Sequence, residues 1–539
     1  MKEIKTSKIK TKLLPYIFFP VIVGIISGAL IFLFKVTSGA VMSYSSKIYG
    51  FVRENPTYLP LLILGAAVLG TVAAIILKSA KECRGGGIPT AVASIKGLIP
   101  LKWIQGSLFL FCSALLTFLC GVPLGNEGPS VQMGAATGKF SSRFSKKNRL
   151  AWERYLMTGG ACSGFAIATS APIAGIVFAL EEAHRRFSTT IFAVASIAVL
   201  TGSITHSLLS SLFDIDTTFF NITASEILPM KYFWAAIIIG AVCGVASLLL
   251  TSAYRASKKL SNGKAKRIPH SAKIIIIFAF TAVLGFFSAN FIGTGHSIID
   301  EIIEGKAVWY ALLLAFFARA VLMIFANSEG VSGGLFIPTL AFGAMIASLL
   351  TDAFVALGII DGIYYVILVV VGMASFLSAS MRTPITAIIF AAEAFAVTGN
   401  ILPIIIGVII SYAVAEISGK ISFTDTVIES RVEAAHRGKK PIIVYSHMTV
   451  QKGAFADGME TKDILWPPTC AVLSIDRNLS KFEHHSVQEI RAGDDLHLHY
   501  QTYDPDETLR ALSAILGEQP ENQRFRSHLG TDEHLVPNE

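Results

Sequence analysis

The 539-residue sequence has few charged side chains and lacks the fingerprints of a soluble enzyme. Asp, Glu, Lys and Arg make up only 15% of the residues, whereas 53% are hydrophobic and the mean hydropathy is +0.60. These values exclude an ordinary soluble domain and indicate a polytopic membrane protein. The six cysteines have no paired spacing, and no Cys/His cluster suggests a metal site. HExxH, P-loop and Rossmann motifs are also missing.

Positive charge is confined to a few short segments, so the net charge of +8 does not indicate nucleic-acid binding. Basic residues cluster before the first apolar run, at 139–149 and at 255–267. The positive-inside rule places these segments in the cytoplasm. The Lys-rich start leads into a spanning segment without a small-residue cleavage site, so no cleavable signal is predicted. We expect a multi-pass protein of the cell membrane with cytoplasmic N- and C-termini.

The chain changes character near its C-terminal end. Apolar runs long enough to cross a bilayer recur from Leu13 to about Ser418, and the first of them is predicted as a spanning helix at Leu13–Val36. Asp214–Glu226 is predicted to be an exposed loop, and polar alternating segments follow Glu429. After 445, the alternating patterns and an amphipathic stretch indicate a small α/β domain. The predicted divisions are a cytoplasmic N-terminus at 1–12, a transmembrane domain at 13–430, a linker at 431–444, a small domain at 445–517 and a polar tail at 518–539.

The most informative stretch is Gly121–Gly134, where Glu127 follows an apolar run. An ionisable group at membrane depth is a functional candidate by default. Pro129 suits the first turn of a helix whose N–H groups and positive dipole end would point into the protein. Such an N-terminus is an anion site, and the Glu127 carboxylate could occupy it in place of the anion. The alternative is a structural helix cap in a re-entrant turn.

The membrane part repeats itself at an offset of about 210 residues. Segment 172–181 matches segment 384–393 at six of ten positions, an offset of 384 − 172 = 212. Pro129 corresponds to Pro338, with an offset of 338 − 129 = 209. Two halves, at about 13–255 and 270–430, are therefore predicted. Repeat-built transporters bind their ions where interrupted helices of the two halves meet. The pattern does not show whether the repeats are parallel or inverted.

Three motifs resemble the signatures of the CLC family of chloride channels and chloride/proton antiporters. They are Gly85–Pro89, Gly125–Pro129 and Gly334–Pro338, in the family's order. The resemblance covers about 15–430 and implies inverted repeats, a homodimer and transport of chloride and protons. It assigns Glu127 as the gating glutamate and Glu182 as an internal proton-transfer glutamate. The implied anion contacts lie in the first signature, in the third signature and near the end of the membrane domain. They are Gly86, Gly87, Ile88, Phe336, Ile337 and Thr424.

Three departures from the family pattern concern the anion path. Gly86 replaces a serine hydroxyl, and Asn126 replaces the basic residue before the gating glutamate. The family's central tyrosine falls at Thr424, or at Phe423 if the alignment slips by one residue. A weaker, less selective or more hydrated central site is therefore expected.

Two readings within the family remain open. An uncoupled anion channel would use the same Glu127. A fluoride exporter is disfavoured because the third signature reads Gly-Leu-Phe-Ile-Pro, as in chloride-handling members. Glu182 favours proton coupling, although a solvated helix-end glutamate beside basic residues would be structural. Glu181 is expected to be structural, since its repeat partner Glu393 is not followed by a second acidic residue.

An intramembrane serine protease is the alternative from another class, because Gly330–Gly333 resembles the GxSG turn of rhomboid proteases. A serine nucleophile needs a positioned base. The first histidine after Ser332 is His436, beyond the membrane body, so the chain is not expected to be an enzyme.

The segment 445–517 resembles the C-terminal regulatory (TrkA-C) domain of RCK-type potassium-transport regulators, with ADG, WP and AGD turns. The resemblance implies a dimerising module that binds a small ligand, which in some relatives is cyclic di-AMP. Candidate ligand contacts are Arg477 and the histidines of 484–499, first among them His484 and His485. No other cofactor is expected, and the alternative is an appendage that only stabilises a dimer.

Overall fold

The structure is a computed structural model that describes residues 2–145, 148–215, 220, 226–477, 480–483, 489–519 and 528–529. The membrane part is entirely helical in this described portion. Its first half contains α1 (Lys2–Glu54), α2 (Leu59–Ser79), α3 (Ile88–Ile95), α4 (Leu110–Cys120), α5 (Glu127–Ser141), α6 (Arg149–Thr169), α7 (Pro172–Phe178), α8 (Thr189–Phe213) and α9 (Phe233–Asn262). Its second half contains α10 (His270–Phe287), α11 (His296–Ile303), α12 (Trp309–Ser328), α13 (Phe336–Ala356), α14 (Tyr365–Met381), α15 (Pro384–Ala394), α16 (Ile401–Ile417) and α17 (Phe423–Ala435).

Within the described residues, nine helices are long and apolar enough to cross a membrane. A multi-pass membrane protein is thereby confirmed. The first helix continues well past the predicted Leu13–Val36 span, because α1 runs without a break to Glu54. The loop predicted at Asp214–Glu226 lies mostly outside the described residues. Several other helices are short and buried. A glycine-containing turn precedes both α3 and α5.

Two glutamates reveal how the halves are related. The Glu181 carboxylate accepts hydrogen bonds from the backbone N–H groups of Ile385 (2.8 Å) and Thr386 (2.6 Å), at the start of α15. The Glu393 carboxylate, at the end of α15, accepts from Ile173 (2.9 Å) and Ala174 (2.8 Å), at the start of α7. Each helix start is thus capped from the end of the other, so α7 and α15 run in opposite directions. The repeats are therefore inverted.

Two backbone hydrogen bonds between glycines show the same relation between the two halves. Gly85 N–H donates to Gly330 O at 2.8 Å, and Gly293 N–H donates to Gly121 O at 2.7 Å. The offsets are 293 − 85 = 208 and 330 − 121 = 209, so one bond is the repeat image of the other. These bonds join the halves at the loops that precede the buried helices, and so fix where those helices begin.

The C-terminal region forms a small α/β domain, which confirms the predicted class. Its strands are β1 (Ile442–Thr449), β2 (Ala471–Arg477), β3 (Ser480–Glu483), β4 (Asp495–Thr502) and β5 (His528–Leu529), and its helix is α18 (Pro505–Leu516). The described strands are antiparallel in the order β3-β2-β4-β1-β5. β5 lies in the segment predicted as a polar tail, yet it pairs with β1.

The small domain is packed directly against the membrane part. Arg154 of α6 donates to Leu465 O at 3.0 Å and to Trp466 O at 2.5 Å. The core of the small domain also includes Ala151 of α6. Asp463 accepts hydrogen bonds from Ser188 and Thr189, at the start of α8. The tail therefore contacts membrane helices other than the one that leads into it, among them α6 and α8.

Candidate ion-binding site

Three buried helix N-termini lie close together at the signature motifs. The helices are α3, α5 and α13, and none of the three has a side-chain cap. Gly125 and Gly334 exchange two backbone hydrogen bonds, of 2.7 and 2.5 Å, which hold the start of α5 beside the start of α13. Uncapped N–H groups and positive dipole ends gathered in the protein interior form an anion-binding environment.

The close approach of these helices requires glycine. Gly87 has φ +68°, and a Cβ there would clash with the backbone of Gly128. A Cβ at Gly128 would in turn clash with Gly86 O and Gly334 Cα. Backbone from the first, second and third signatures therefore meets within van der Waals contact, with no room for a side chain.

Glu127, the first residue of α5, lies at this junction and is completely buried. Neither carboxylate oxygen has a hydrogen-bond partner among the described residues. The carboxylate lies against Gly125, and the backbone N–H groups of Glu127 and Ile337 act on it electrostatically without normal hydrogen-bond geometry. A structural cap would have its acceptors satisfied. The arrangement is instead that of a buried ionisable group beside helix N-termini, without a normal hydrogen bond to hold it as a cap.

A basic residue on another helix also contributes to the electrostatic surroundings of Glu127. Lys35 of α1 acts electrostatically on Glu127, although it lies 127 − 35 = 92 residues earlier in the chain. Its ammonium donates to Ile167 O at 3.3 Å and to Ser170 Oγ at 3.2 Å, near the end of α6. The fold therefore brings a positive charge from another helix into the electrostatic surroundings of Glu127.

The remaining predicted anion contacts are buried. Ile88, Phe336 and Ile337 occupy the first turns of α3 and α13 and are at most 1% exposed. A Cβ at Gly86 would have only ordinary contacts, so the missing serine reflects no lack of space. Thr424 is buried in α17, which packs against α3, while the Phe423 ring packs against Tyr254. The structure brings these positions to one region without showing a direct Thr424 contact with the junction.

Glu182 is the second buried carboxylate of interest. It lies in a π-helical turn at 179–183, is 1% exposed, and has no hydrogen-bond partner for either oxygen among the described residues. Its charged surroundings are Asp425, Arg185, Lys96 and Glu181, and Arg185 pairs with Asp425 at 2.7 Å. Single π-turns often mark functional sites. The neighbouring Glu181 is fully engaged as a helix cap, which gives the two adjacent acids different roles.

The predicted ligand contacts of the tail differ in outcome. Arg477 forms two bonds with Asp494, of 2.6 and 2.7 Å, and the hydrogen-bonded Asp494 raises the pKa of Arg477 above its usual range. Its guanidinium is thus already engaged within the domain. His484 and His485 lie outside the described residues. A further predicted histidine, His497, lies in a group on β1 and β4 where His447, Asp495 and His497 bring ligand-type atoms within 4.8 Å of one another. Sequence reasoning missed His447 and Asp495. The alternation of the two strands was the available signal.

Fold and junction define a repeat-built membrane protein with a buried glutamate at converging helix N-termini. The chain belongs to the voltage gated chloride channel (CLC) family, whose model matches residues 68–416. The H(+)/Cl(-) exchange transporter ClcA of Klebsiella pneumoniae (strain 342) is 26% identical over 378 residues, covering 69% of this chain and 79% of the relative. ClcA of Salmonella typhi is 27% identical over 406 residues, covering 73% and 84%.

Solved structures show the same fold. A slow cyanobacterial Cl-/H+ antiporter has a TM-score of 0.71 at 21% identity, covering 78% of this chain and 99% of the other. A CLC-type fluoride/proton antiporter has a TM-score of 0.61 at 21% identity, covering 75% and 96%. The family is one of membrane transport proteins, and its match ends before the C-terminal domain.

Proposed function

We propose that this protein exchanges chloride for protons across the cell membrane. The observation that carries the proposal is Glu127, a buried carboxylate that makes no normal hydrogen bond with any described residue and lies at the meeting point of three uncapped helix N-termini. An anion and an ionised carboxylate compete for the same backbone donors, so only one can be present. Protonation of Glu127 removes its charge and opens the site to chloride. Relatives named as H(+)/Cl(-) exchange transporters support the same activity.

Glu182 is proposed to pass protons between Glu127 and the cytoplasm. The Phe336 ring, at the start of α13, packs against Phe165 (5.1 Å) and Phe390 (4.9 Å), and Phe165 stacks on Phe178 (5.1 Å). These rings join the α13 end of the junction to the helix that leads to Glu182. They carry no proton-transfer group, so water must complete the route. The anion, in contrast, follows the helix N-termini, which separates the two ion paths.

The cytoplasmic location of both termini is supported by contacts between distant segments. Tyr16 of α1 lies against Met459 of the tail, at 3.9 Å from hydroxyl to sulfur. The tail also contacts the start of α6, directly after the basic segment 139–149. Arg255, in the next basic segment, donates to Thr426 of α17 at 3.1 Å. These contacts support a common side of the bilayer for the three basic segments and the tail, and the positive-inside rule predicts that this side is cytoplasmic. A homodimer is proposed from the family resemblance.

Reconstituted liposomes test the exchange directly. With an outward chloride gradient and no proton gradient, chloride efflux should drive protons inward until their gradient opposes it. The measurements are chloride release by electrode and internal pH by a trapped dye. Chloride flux without proton movement would instead establish an uncoupled channel. Repeating the assay with fluoride tests the fluoride alternative, which predicts faster fluoride than chloride flux.

The C-terminal domain is proposed to be an RCK C-terminal-like regulatory module that binds an anionic nucleotide such as cyclic di-AMP. Its contacts favour control of the proton branch. Asp463 binds Ser188 (2.5 Å) and Thr189 (3.1 Å), and Arg186 donates to Ile464 O at 2.8 Å. These membrane residues directly follow the turn that contains Glu182. A ligand that prefers one position of the 463–466 segment biases that turn by its differential affinity for the two positions.

Cyclic di-AMP should therefore change the flux of the full-length protein. Adding the nucleotide on the tail side of oriented liposomes is expected to shift proton-coupled chloride flux, and calorimetry on the same preparation should detect binding. ATP and AMP serve as comparison ligands. If none of the three binds and deletion of 445–539 leaves flux unaltered, the domain is only a structural appendage.

A further inference from the structure

A buried amide near the anion path has no visible partner. Asn327, in the last turn of α12, is 3% exposed, and neither its Oδ1 nor its Nδ2 makes a hydrogen bond with any described residue. Leaving both amide groups buried and unsatisfied lowers stability, so an unpartnered amide in a native fold requires an explanation.

The position of this amide is informative. Its Nδ2 lies 3.4 Å from the point that a Cβ at Gly86 would occupy, and Leu335 Cδ1 lies 3.5 Å from the same point. Gly86 lies two residues before the first residue of α3, and Leu335 directly precedes the first residue of α13. Nδ2 is therefore located where the first and third signatures meet, beside two uncapped helix N-termini.

The backbone around Asn327 is held firmly, which sets the direction of the side chain. Its carbonyl accepts a hydrogen bond from Gly330 N–H at 3.0 Å. The next residue, Ser328, bonds through its hydroxyl to Ser257 Oγ (3.1 Å) and through its carbonyl to Lys258 Nζ (2.7 Å). The backbone that carries the amide is thus already ordered, and only the side-chain torsions of Asn327 remain to be ordered when a ligand binds.

The local charge favours a negative occupant. The Lys258 ammonium is bonded to the carbonyl of the residue after Asn327, and the Arg431 guanidinium packs against Gly85, the neighbour of Gly86. The nearby acid Glu329 is paired with Lys273 at 3.6 Å. Backbone N–H groups at the start of α13 point the same sign of partial charge toward the junction. A small anion is the one ligand class that is attracted by all of these groups at once.

We propose that Asn327 Nδ2 donates a hydrogen bond to the transported anion beside Gly86. This inference rests on the proposed function and names a specific contact of the same site. The amide would supply, from the second repeat, the side-chain donor that glycine at position 86 cannot provide. Chloride, as a small monovalent anion that accepts hydrogen bonds from every direction, is the expected ligand.

Replacing Asn327 with leucine tests the contact, because leucine has a similar shape and no donor. Calorimetric titration of the purified full-length protein with chloride should show binding weakened by at least about tenfold, as expected for a hydrogen bond to a charged group. The thermal unfolding temperature should not fall, since the change also removes an unsatisfied buried amide. Asn327→Asp, which keeps the shape but exchanges the donor for an oxygen, should weaken binding as well and serves if the leucine variant does not fold.

Asn400 provides a matched control. It is also 3% exposed, but its amide accepts from Leu228 N–H at 2.8 Å and donates to Glu226 O at 3.3 Å. Asn400→Leu should therefore lower the unfolding temperature and leave chloride affinity unaltered, the opposite signature. Adding Gly86→Ser to Asn327→Leu should restore most of the lost affinity, because a side chain fits at position 86 and its hydroxyl reaches the same space.

Failure of the proposed function can be distinguished from failure of the Asn327 contact. If the unmodified protein shows no chloride flux, the proposed function is wrong regardless of Asn327. If the unmodified protein transports chloride but the folded Asn327→Leu and Asn327→Asp proteins bind it within twofold of normal, the contact does not exist and water occupies the space beside the amide.

Discussion

Proton transport should fall to background when Glu127 is replaced by glutamine, while chloride flux persists and loses its pH dependence. Glutamine keeps the shape of the side chain but cannot gain or lose a proton. The carboxylate has no hydrogen-bond partner among the described residues, so the substitution breaks no structural contact there. The measurement is chloride-driven pH change in liposomes, together with chloride flux across a series of external pH values.

The control for this variant is Glu304→Gln, the same chemical change at an exposed glutamate that pairs with Lys306. An exposed ion pair contributes little, so both fluxes should be unaltered. Uphill proton movement by a folded Glu127→Gln protein would disprove the central role of this residue. A simultaneous loss of both ion fluxes would show that the ionised carboxylate has a structural role.

Glu182→Gln is expected to stop proton movement and leave chloride flux measurable, because this residue lies on the proton branch alone. Its oxygens have no hydrogen-bond partner in the described part of the chain, and its turn begins one residue after Phe178 of the aromatic cluster. The readout is the number of protons moved per chloride, which should fall to background in the same liposome assay.

Glu181→Gln is the matched variant at the adjacent position. The Glu181 carboxylate accepts three hydrogen bonds from Ile385 and Thr386, including one from the Thr386 hydroxyl. A neutral amide caps a helix less well, so this variant should be less stable to heat but still coupled. Unchanged coupling in Glu182→Gln would mean that another group or water supplies the inner proton route, and loss of both fluxes would indicate a structural role.

The sequence by itself determined the class of the protein and the location of its key motifs. Hydrophobic runs of spanning length report on the bilayer directly, because each helix must satisfy its own backbone in lipid. The repeat at 172–181 and 384–393 and the three glycine-rich motifs are local features, readable without a fold. They were sufficient to place Glu127 at a buried helix start and to divide the chain into a membrane part and an α/β domain.

Only the tertiary structure decided which residues from distant segments share a site. Asn327 and Gly86 are 327 − 86 = 241 residues apart, and no local pattern marks Asn327 as polar and unpartnered. Lys35 could not be linked to Glu127, nor Asp463 to Ser188, before the helices were packed. The repeat pattern alone also leaves the direction of the repeats open, whereas the mutual capping of α7 and α15 by Glu393 and Glu181 shows that they are inverted. Periodicity reports which face of a helix is buried, whereas packing alone determines what that face contacts.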